Sequence, residues 1–183
     1  NGPQNIVISG RRDKIDQLVA QLREQGIKCT PLIVSHAFHS PLMDPMLDEF
    51  GEVARTIRYQ LPHIPLISNV SGTLFTESLS TDSPTHWSYW VRHVREAVRF
   101  ADGVQTLYDQ GCTVLIEIGP KPTLLGMARE VLDKKTRGQE DTKTNASPLP
   151  LSPSSCLFLP SLRPGKSDWQ QMLESVGELY RRG

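Results

Sequence analysis

The sequence predicts an α/β fold, and three observations carry that expectation. Residues 5–34 read as strand, helix, strand within about 30 residues, the size of a βαβ-like unit. Residues 112–118 are a near-continuous apolar run of the kind found in buried parallel strands, and it closes on Gly119-Pro120. Between such runs lie segments whose apolar residues recur with a helical period. A chain of 183 residues is one to one and a half domains long by the usual prior, enough for a real core.

The elements follow in order. Asn1-Gly2-Pro3 is turn chemistry, and residues 5–9 form a short apolar strand closed by Gly10. From residue 13 to 25, Ile15, Leu18, Val19 and Leu22 recur at i, i+3, i+4 and i+7, and Gly26 stands where a helix is capped. Residues 27–34 read as a second strand, which runs into Ser35-His36-Ala37-Phe38-His39-Ser40-Pro41. Pro41 suits a first helical turn, and Leu47, Phe50, Ala54 and Ile57 stripe a helix over about 41–58. Residues 64–70 read as a short buried strand, followed by a polar, exposed loop up to Thr85.

His86-Trp87-Ser88-Tyr89-Trp90-Val91 has the aromatic density of a helix wedged between subdomains. Phe100, Val104, Leu107 and Tyr108 mark another helix, stopped by Gly111. Residues 134–155 are Thr, Ser, Pro and charge with little apolar content, the composition of a mobile linker. Residues 156–160 restore an apolar strand, and Ser167 caps a helix through Tyr180 with Trp169, Met172, Leu173, Val176 and Leu179 or Tyr180 on one face. Such a helix is expected to dock on a neighbouring surface, since about 14 isolated helical residues are marginal in water.

Composition narrows the function. Lys plus Arg and Asp plus Glu number 20 each, so no net basic surface points to nucleic acid or anionic membrane. Cys29, Cys112 and Cys156 sit apart in apolar runs, as buried free thiols do, which argues for a reducing, cytoplasmic setting. No apolar run approaches the roughly 20 residues that span a bilayer, and no signal-peptide pattern opens the chain.

Chemistry concentrates at His36-x-x-His39, where two imidazoles stand at the end of an expected strand. Structural zinc wants four ligands, and no cysteine pair or second histidine pair accompanies these two, so no metal is expected. Ser35 with His39 makes a poor hydrolase pair, because Ser35 lies on no glycine-flanked elbow.

His36-Ala37-Phe38-His39 followed by Ser40-Pro41-Leu42-Met43 resembles the histidine motif of malonyl-type acyltransferase domains in modular type I polyketide synthases. The likeness extends to Asn1-Gly2-Pro3-Gln4 with Val7 to Gly10, to Pro62 through Gly72, to Trp90-Val91-Arg92 with Val98-Arg99-Phe100, and to Glu117-Ile118-Gly119-Pro120. Leu159-Pro160-Ser161-Leu162-Arg163 with Trp169 and Gly177 to Gly183 resemble the linker that follows such a domain. The resemblance implies the second half of a ferredoxin-like small subdomain in residues 1–40 and the C-terminal part of an α/β-hydrolase-like acyltransferase core in 41–133. A flexible linker in 134–155 and a post-acyltransferase docking linker in 156–183 complete the expected division.

It also implies a reaction. A serine in a Gly-His-Ser-x-Gly elbow attacks the thioester of malonyl-CoA, a histidine serves as its base, and the acyl group passes to the phosphopantetheine of an acyl carrier protein. His39 matches that base, and His36, Ala37 and Phe38 match positions lining the acyl pocket. Relatives that select methylmalonyl carry Tyr-Ala-Ser-His there, so Phe38 implies exclusion of an α-methyl group, a discrimination of about 1–3 kcal/mol. A backbone carbonyl within residues 90–95, matched to His93, is expected to orient His39.

The 183 residues contain no Gly-His-Ser-x-Gly, and neither the carboxylate-pairing arginine nor the glutamine-bearing oxyanion loop follows. The expectation is a C-terminal part of an acyltransferase, inactive alone, whose partners are the N-terminal part of the same domain, adjacent ketosynthase and linker domains, and the carrier protein. No permanently bound cofactor is expected. The alternative is a non-catalytic interaction fragment of a megasynthase.

Overall fold

The computed structural model describes residues 1–2, 4–75, 83–139 and 156–183, and for 134–139 the backbone alone. The chain forms two compact units, residues 6–99 and residues 1–5 with 100–183. No described helix is long and apolar enough to cross a membrane.

In the unit of residues 6–99, helix α1 (Arg12–Glu24) forms where the apolar period places it. Its end is closed by Gly26 at φ 77°: the Gly26 N–H donates to the Arg23 carbonyl at 2.9 Å and the Ile27 N–H to the Leu22 carbonyl at 2.9 Å. That left-handed step needs glycine, and it satisfies two carbonyls the helix leaves open. The flanking stretches 5–9 and 27–34 are no strands among the described residues. Ile6, Val7, Leu32, Ile33 and Val34 in them are exposed. A strand exists only through the ladder it shares with a partner backbone, and among the described residues none pairs with 6–9 or 27–34, Asn5 alone bridging back to Gly2.

The helix expected over 41–58 is built in two pieces, a 3₁₀ helix (Pro41–Met46) and α2 (Leu47–Arg55). Pro45 explains the tighter first piece, because it has no N–H to give to an α-helical ladder. Helix α3 (Trp87–Arg95) packs on α2 through Gly51, where an added Cβ would lie 3.5 Å from the Trp87 ring and 3.7 Å from Val91. The Arg55 guanidinium covers the other part of that indole at 4.0 Å. Tyr59 stacks on Trp90 with ring centres 6.3 Å apart and donates its hydroxyl to the Ala54 carbonyl at 3.1 Å.

Residues 66–75 turn back as a tight hairpin in place of the expected strand. The Ser68 N–H donates to Thr73 and the Phe75 N–H to Leu66, with Gly72 at φ 74°. The buried Ser68 hydroxyl accepts the N–H groups of Val70 and Ser71 and reaches the hydroxyl of buried Tyr89 on α3 at 3.4 Å. The hairpin and α3 are thereby fastened to each other. Of the expected exposed loop, residues 76–82 lie outside the described residues, and Ser83 beyond them is buried.

The second unit is a β-α-β arrangement with two further helices. Helix α4 (Phe100–Asp109) ends at Gly111, φ 83°, with the same pair of closing bonds as α1. Strand β1 (Val114–Glu117) pairs in parallel with β2 (Leu157–Pro160), Val114 opposite Leu157 through Glu117 opposite Pro160. Between them runs α5 (Thr123–Gln139), which carries the helix past the composition change expected to begin a linker at 134. The rest of that linker, 140–155, lies outside the described residues.

Val104 of α4, Ala128, Val131 and Leu132 of α5, and Cys156 make the core of this unit. β1 alternates: Val114 and Ile116 are exposed while Leu115 packs against that core, so the described residues cover one face of the strand. Of the three thiols only Cys156 is buried, and Cys112 is exposed, because it stands in the turn before β1. Helix α6 (Asp168–Arg182) follows β2. Gln171, which is buried, and Ser175 both donate to the Pro160 carbonyl, at 3.5 and 2.8 Å, Met172 and Leu179 are half-buried, and Trp169, Leu173, Val176 and Tyr180 are exposed.

Glu117, at the end of β1, holds the start of α5. Its Oε1 accepts the Thr123 and Leu124 N–H groups at 3.1 Å each and its Oε2 the Leu125 N–H at 2.9 Å. A carboxylate there satisfies three donors that the helix leaves open and faces the positive end of its dipole. Glu117→Ala is expected to lower stability by about 1–2 kcal/mol; an unchanged urea midpoint would reject this role.

Candidate active site

The site is a turn that cannot form without local constraint. Among the described residues His39 is the non-glycine residue with positive φ, at 62°. A side chain in that region is held by its surroundings, at a cost on the order of 1 kcal/mol. Ser40 supplies part of the hold. It is 1% exposed, donates its hydroxyl to the Ala37 carbonyl at 2.7 Å and accepts the Leu42 N–H at 3.3 Å, capping the 3₁₀ helix that Pro41 begins.

The other part of the hold comes from 57 residues away. Helix α3 ends at Arg95, so carbonyls of its last turn are open. The His39 N–H donates to the Val94 carbonyl at 3.0 Å, and His39 Nδ1 lies 2.7 Å from the Glu96 carbonyl. A carbonyl only accepts, so Nδ1 carries the hydrogen and Nε2 is left with the basic lone pair. Since the His39 side chain is exposed, that lone pair can meet an incoming hydroxyl or thiol.

The carbonyl is therefore that of Glu96, and not one within residues 90–95 as expected. Glu96 is the first residue beyond the helix, extended at φ −85° and ψ 160°, so its carbonyl turns away from the helical ladder toward His39. A side-chain pattern carries no trace of this, but the helix boundary does. The end of α3 is braced by two ion pairs. Arg92 holds the Glu96 carboxylate at 2.8 and 3.2 Å, and that hydrogen bond keeps the carboxyl below its usual range. Arg95 reaches back to Asp44 of the 3₁₀ helix at 2.5 Å.

Around His39 the expected site residues fall into place unequally. Phe38 lies beside it, ring centres 6.5 Å apart, and is 45% exposed. His36 meets the far side of Phe38 edge-on at 6.0 Å, with its Nδ1 3.0 Å from the Ser35 hydroxyl. Ala37 takes part through its carbonyl. His93 contributes its side chain: its ring meets His39 edge-on at 6.0 Å and stacks on Tyr89 at 5.9 Å, 8° from parallel.

His93 Nε2 is buried and has no hydrogen-bond partner among the described residues. Burial first, and the neighbouring His39 second, hold this imidazole below its ordinary value. The titratable rings against it are His39 and Tyr89, and the Arg92–Glu96 and Arg95–Asp44 pairs flank it along the helix. The folded chain thus binds this proton less readily than the unfolded chain. Stability is full above about pH 6.5 and falls as the pH drops through that value toward the lower folded one. His93→Phe is expected to flatten the thermal midpoint over that window; an unchanged slope would remove His93 as its cause.

Residues 1–182 match the family profile described as acyl transferase domain. Polyketide synthase GfsA of Streptomyces halstedii is 36% identical over the whole chain, which spans 2% of that protein. The acyltransferase domain from the second module of the salinomycin polyketide synthase is 37% identical with a TM-score of 0.80, over 100% of this chain and 37% of its own. The acyltransferase domain of SpnD, solved in complex with 2-(pent-4-yn-1-yl)malonyl, is 31% identical with a TM-score of 0.76, over 93% of this chain and 37% of its own. A histidine motif on a helix-capped turn, an α/β fold like that of these domains, and a match from residue 1 to residue 182 place the chain in the acyl transferase domain family, in the form carried by modular type I polyketide synthases.

Proposed function

We propose that this chain is part of an acyltransferase that moves a malonyl extender unit from malonyl-CoA to the phosphopantetheine thiol of an acyl carrier protein, with His39 as its acid and base. The carrying observation is the Nδ1 to Glu96 carbonyl bond, which leaves Nε2 basic and accessible. In the ping-pong sequence a serine Oγ–H gives its proton to Nε2 as the oxygen attacks the thioester carbon. The tetrahedral species then expels the coenzyme A thiolate, which takes the proton from Nε2. The carrier thiol repeats the steps in reverse order, its proton going to Nε2, its sulfur bonding to the acyl carbon, and the serine oxygen leaving with the proton. These 183 residues hold no Gly-His-Ser-x-Gly, so in this reading the serine belongs to the N-terminal part of the same acyltransferase. No permanently bound cofactor takes part.

Phe38, partly exposed beside His39, supports its assignment as the gate against an α-methyl group, with His36 and Ala37 completing that wall. The finer architecture belongs to the same reading: residues 1–40 in a ferredoxin-like subdomain, 41–133 in the acyltransferase core, 134–155 as a flexible linker and 156–183 as a docking linker. The exposed Trp169, Leu173, Val176 and Tyr180 of α6 support docking onto adjacent ketosynthase and linker domains of a cytoplasmic synthase. That same apolar row favours a second reading, a non-catalytic interaction fragment.

In the complete domain His39→Ala is expected to abolish transfer of labelled malonyl to the carrier protein while lowering stability by only about 1 kcal/mol. Retained transfer would sink His39 as the base, and no transfer by the unaltered domain would favour the interaction reading. Phe38→Ser with His36→Tyr is expected to relax selection against methylmalonyl-CoA in a competition assay; unchanged selection would reject Phe38 as the gate.

A further inference from the structure

The hydrogen bond from Nδ1 fixes one corner of the His39 ring and leaves its plane to be set by other contacts. Rotation about an imidazole's bond to Cβ is soft, with broad rather than sharply staggered minima. The direction of the Nε2 lone pair depends on that rotation, since Nε2 lies across the ring from the anchored nitrogen. Two rings stand against His39: Phe38, tilted 50° at 6.5 Å, and His93, 73° from coplanar at 6.0 Å. Phe38 is partly exposed and belongs to the same turn, so it cannot serve as a rigid stop. His93 can. It is carried on α3, stacked on the buried Tyr89, whose hydroxyl is tied to Ser68, and it meets Trp90 edge-on at 6.3 Å.

We propose that the His93 side chain is a positioning residue for acyl transfer, a fixed ring edge that sets the plane of His39 and so aims its Nε2 at the nucleophile. The proposal rests on the reading of His39 as the base and adds a role for the side chain of a position expected to act through its carbonyl. The unpartnered Nε2 of His93 decides which property matters. Without a partner among the described residues, that nitrogen gives His39 neither a proton nor a hydrogen bond. What the geometry leaves is the shape of the ring, wedged between His39 and Tyr89, and phenylalanine shares it.

The test is the rate of a single round of malonyl loading by the complete acyltransferase domain, measured with malonyl-CoA for His93→Ala, His93→Asn, His93→Phe and His39→Ala. Loss of the ring in His93→Ala and His93→Asn is expected to lower the loading rate about 10-fold with KM for malonyl-CoA unchanged, because misaimed groups slow the chemical step and not binding. His93→Phe is expected to stay within about 3-fold of the parent rate. A full rate in His93→Asn would overturn the proposal, and so would a His93→Phe as slow as His93→Asn, since the nitrogen would then matter. Should His93→Ala fail to fold, the comparison of Asn with Phe decides alone. Loading retained by His39→Ala would defeat the assignment of the base, whereas loading lost there but undiminished in His93→Asn would defeat only the role of His93.

Discussion

One hydrogen bond organises the unit of residues 6–99, that from His39 Nδ1–H to the carbonyl of Glu96. It joins a turn near the start of the unit to a helix end near its close, and it does so twice over, since the His39 N–H is held by Val94. For those acceptors to stand where they do, α3 must end on time and lie at a fixed depth. Gly51 sets the depth by letting α2 approach the Trp87 ring, and the Ser68 to Tyr89 contact fixes the helix from its other side. The strain of a left-handed histidine is sustained because both ends of the turn are over-determined.

The choice of a carbonyl as orienting group has an electrostatic meaning. A buried carboxylate in that place would fix the same tautomer and stabilise the imidazolium more strongly, but it would bring a charge that must be desolvated. A main-chain dipole fixes the tautomer with no such charge. The charges nearby are already committed to each other, Arg92 with Glu96 and Arg95 with Asp44. Beside His39 stands a second imidazole, that of His93, whose burial, with His39 next to it, lowers its affinity for a proton.

What the sequence disclosed divides along a physical line. Local signals were legible: the apolar period of α1, the glycines at 26 and 111 whose left-handed geometry closes helices, Pro41 opening a helical turn, and the paired histidines. Signals that depend on a partner were not. Residues 5–9 and 27–34 have the composition of strands, yet composition cannot say whether a neighbouring backbone stands ready to pair. Likewise the apolar row of α6 reads as a face that docks on a neighbour, but its composition cannot name that neighbour; Gln171 and Ser175 donate to the Pro160 carbonyl and leave Trp169, Leu173, Val176 and Tyr180 exposed. The orienting carbonyl at Glu96 escaped for a third reason: every residue has one, so only the place where the helix stops gives it away.

That last point bears on how such a domain can diverge. An orienting group drawn from the main chain is inherited with the fold and not with any codon, so drift at position 96 can rewrite the side chain and leave the device untouched. The turn at His39, in contrast, demands both a particular side chain and an unusual backbone, and it has almost no freedom to vary. A lineage of such domains can therefore lose most of its sequence likeness around the end of α3 while the imidazole at this turn stays oriented as before.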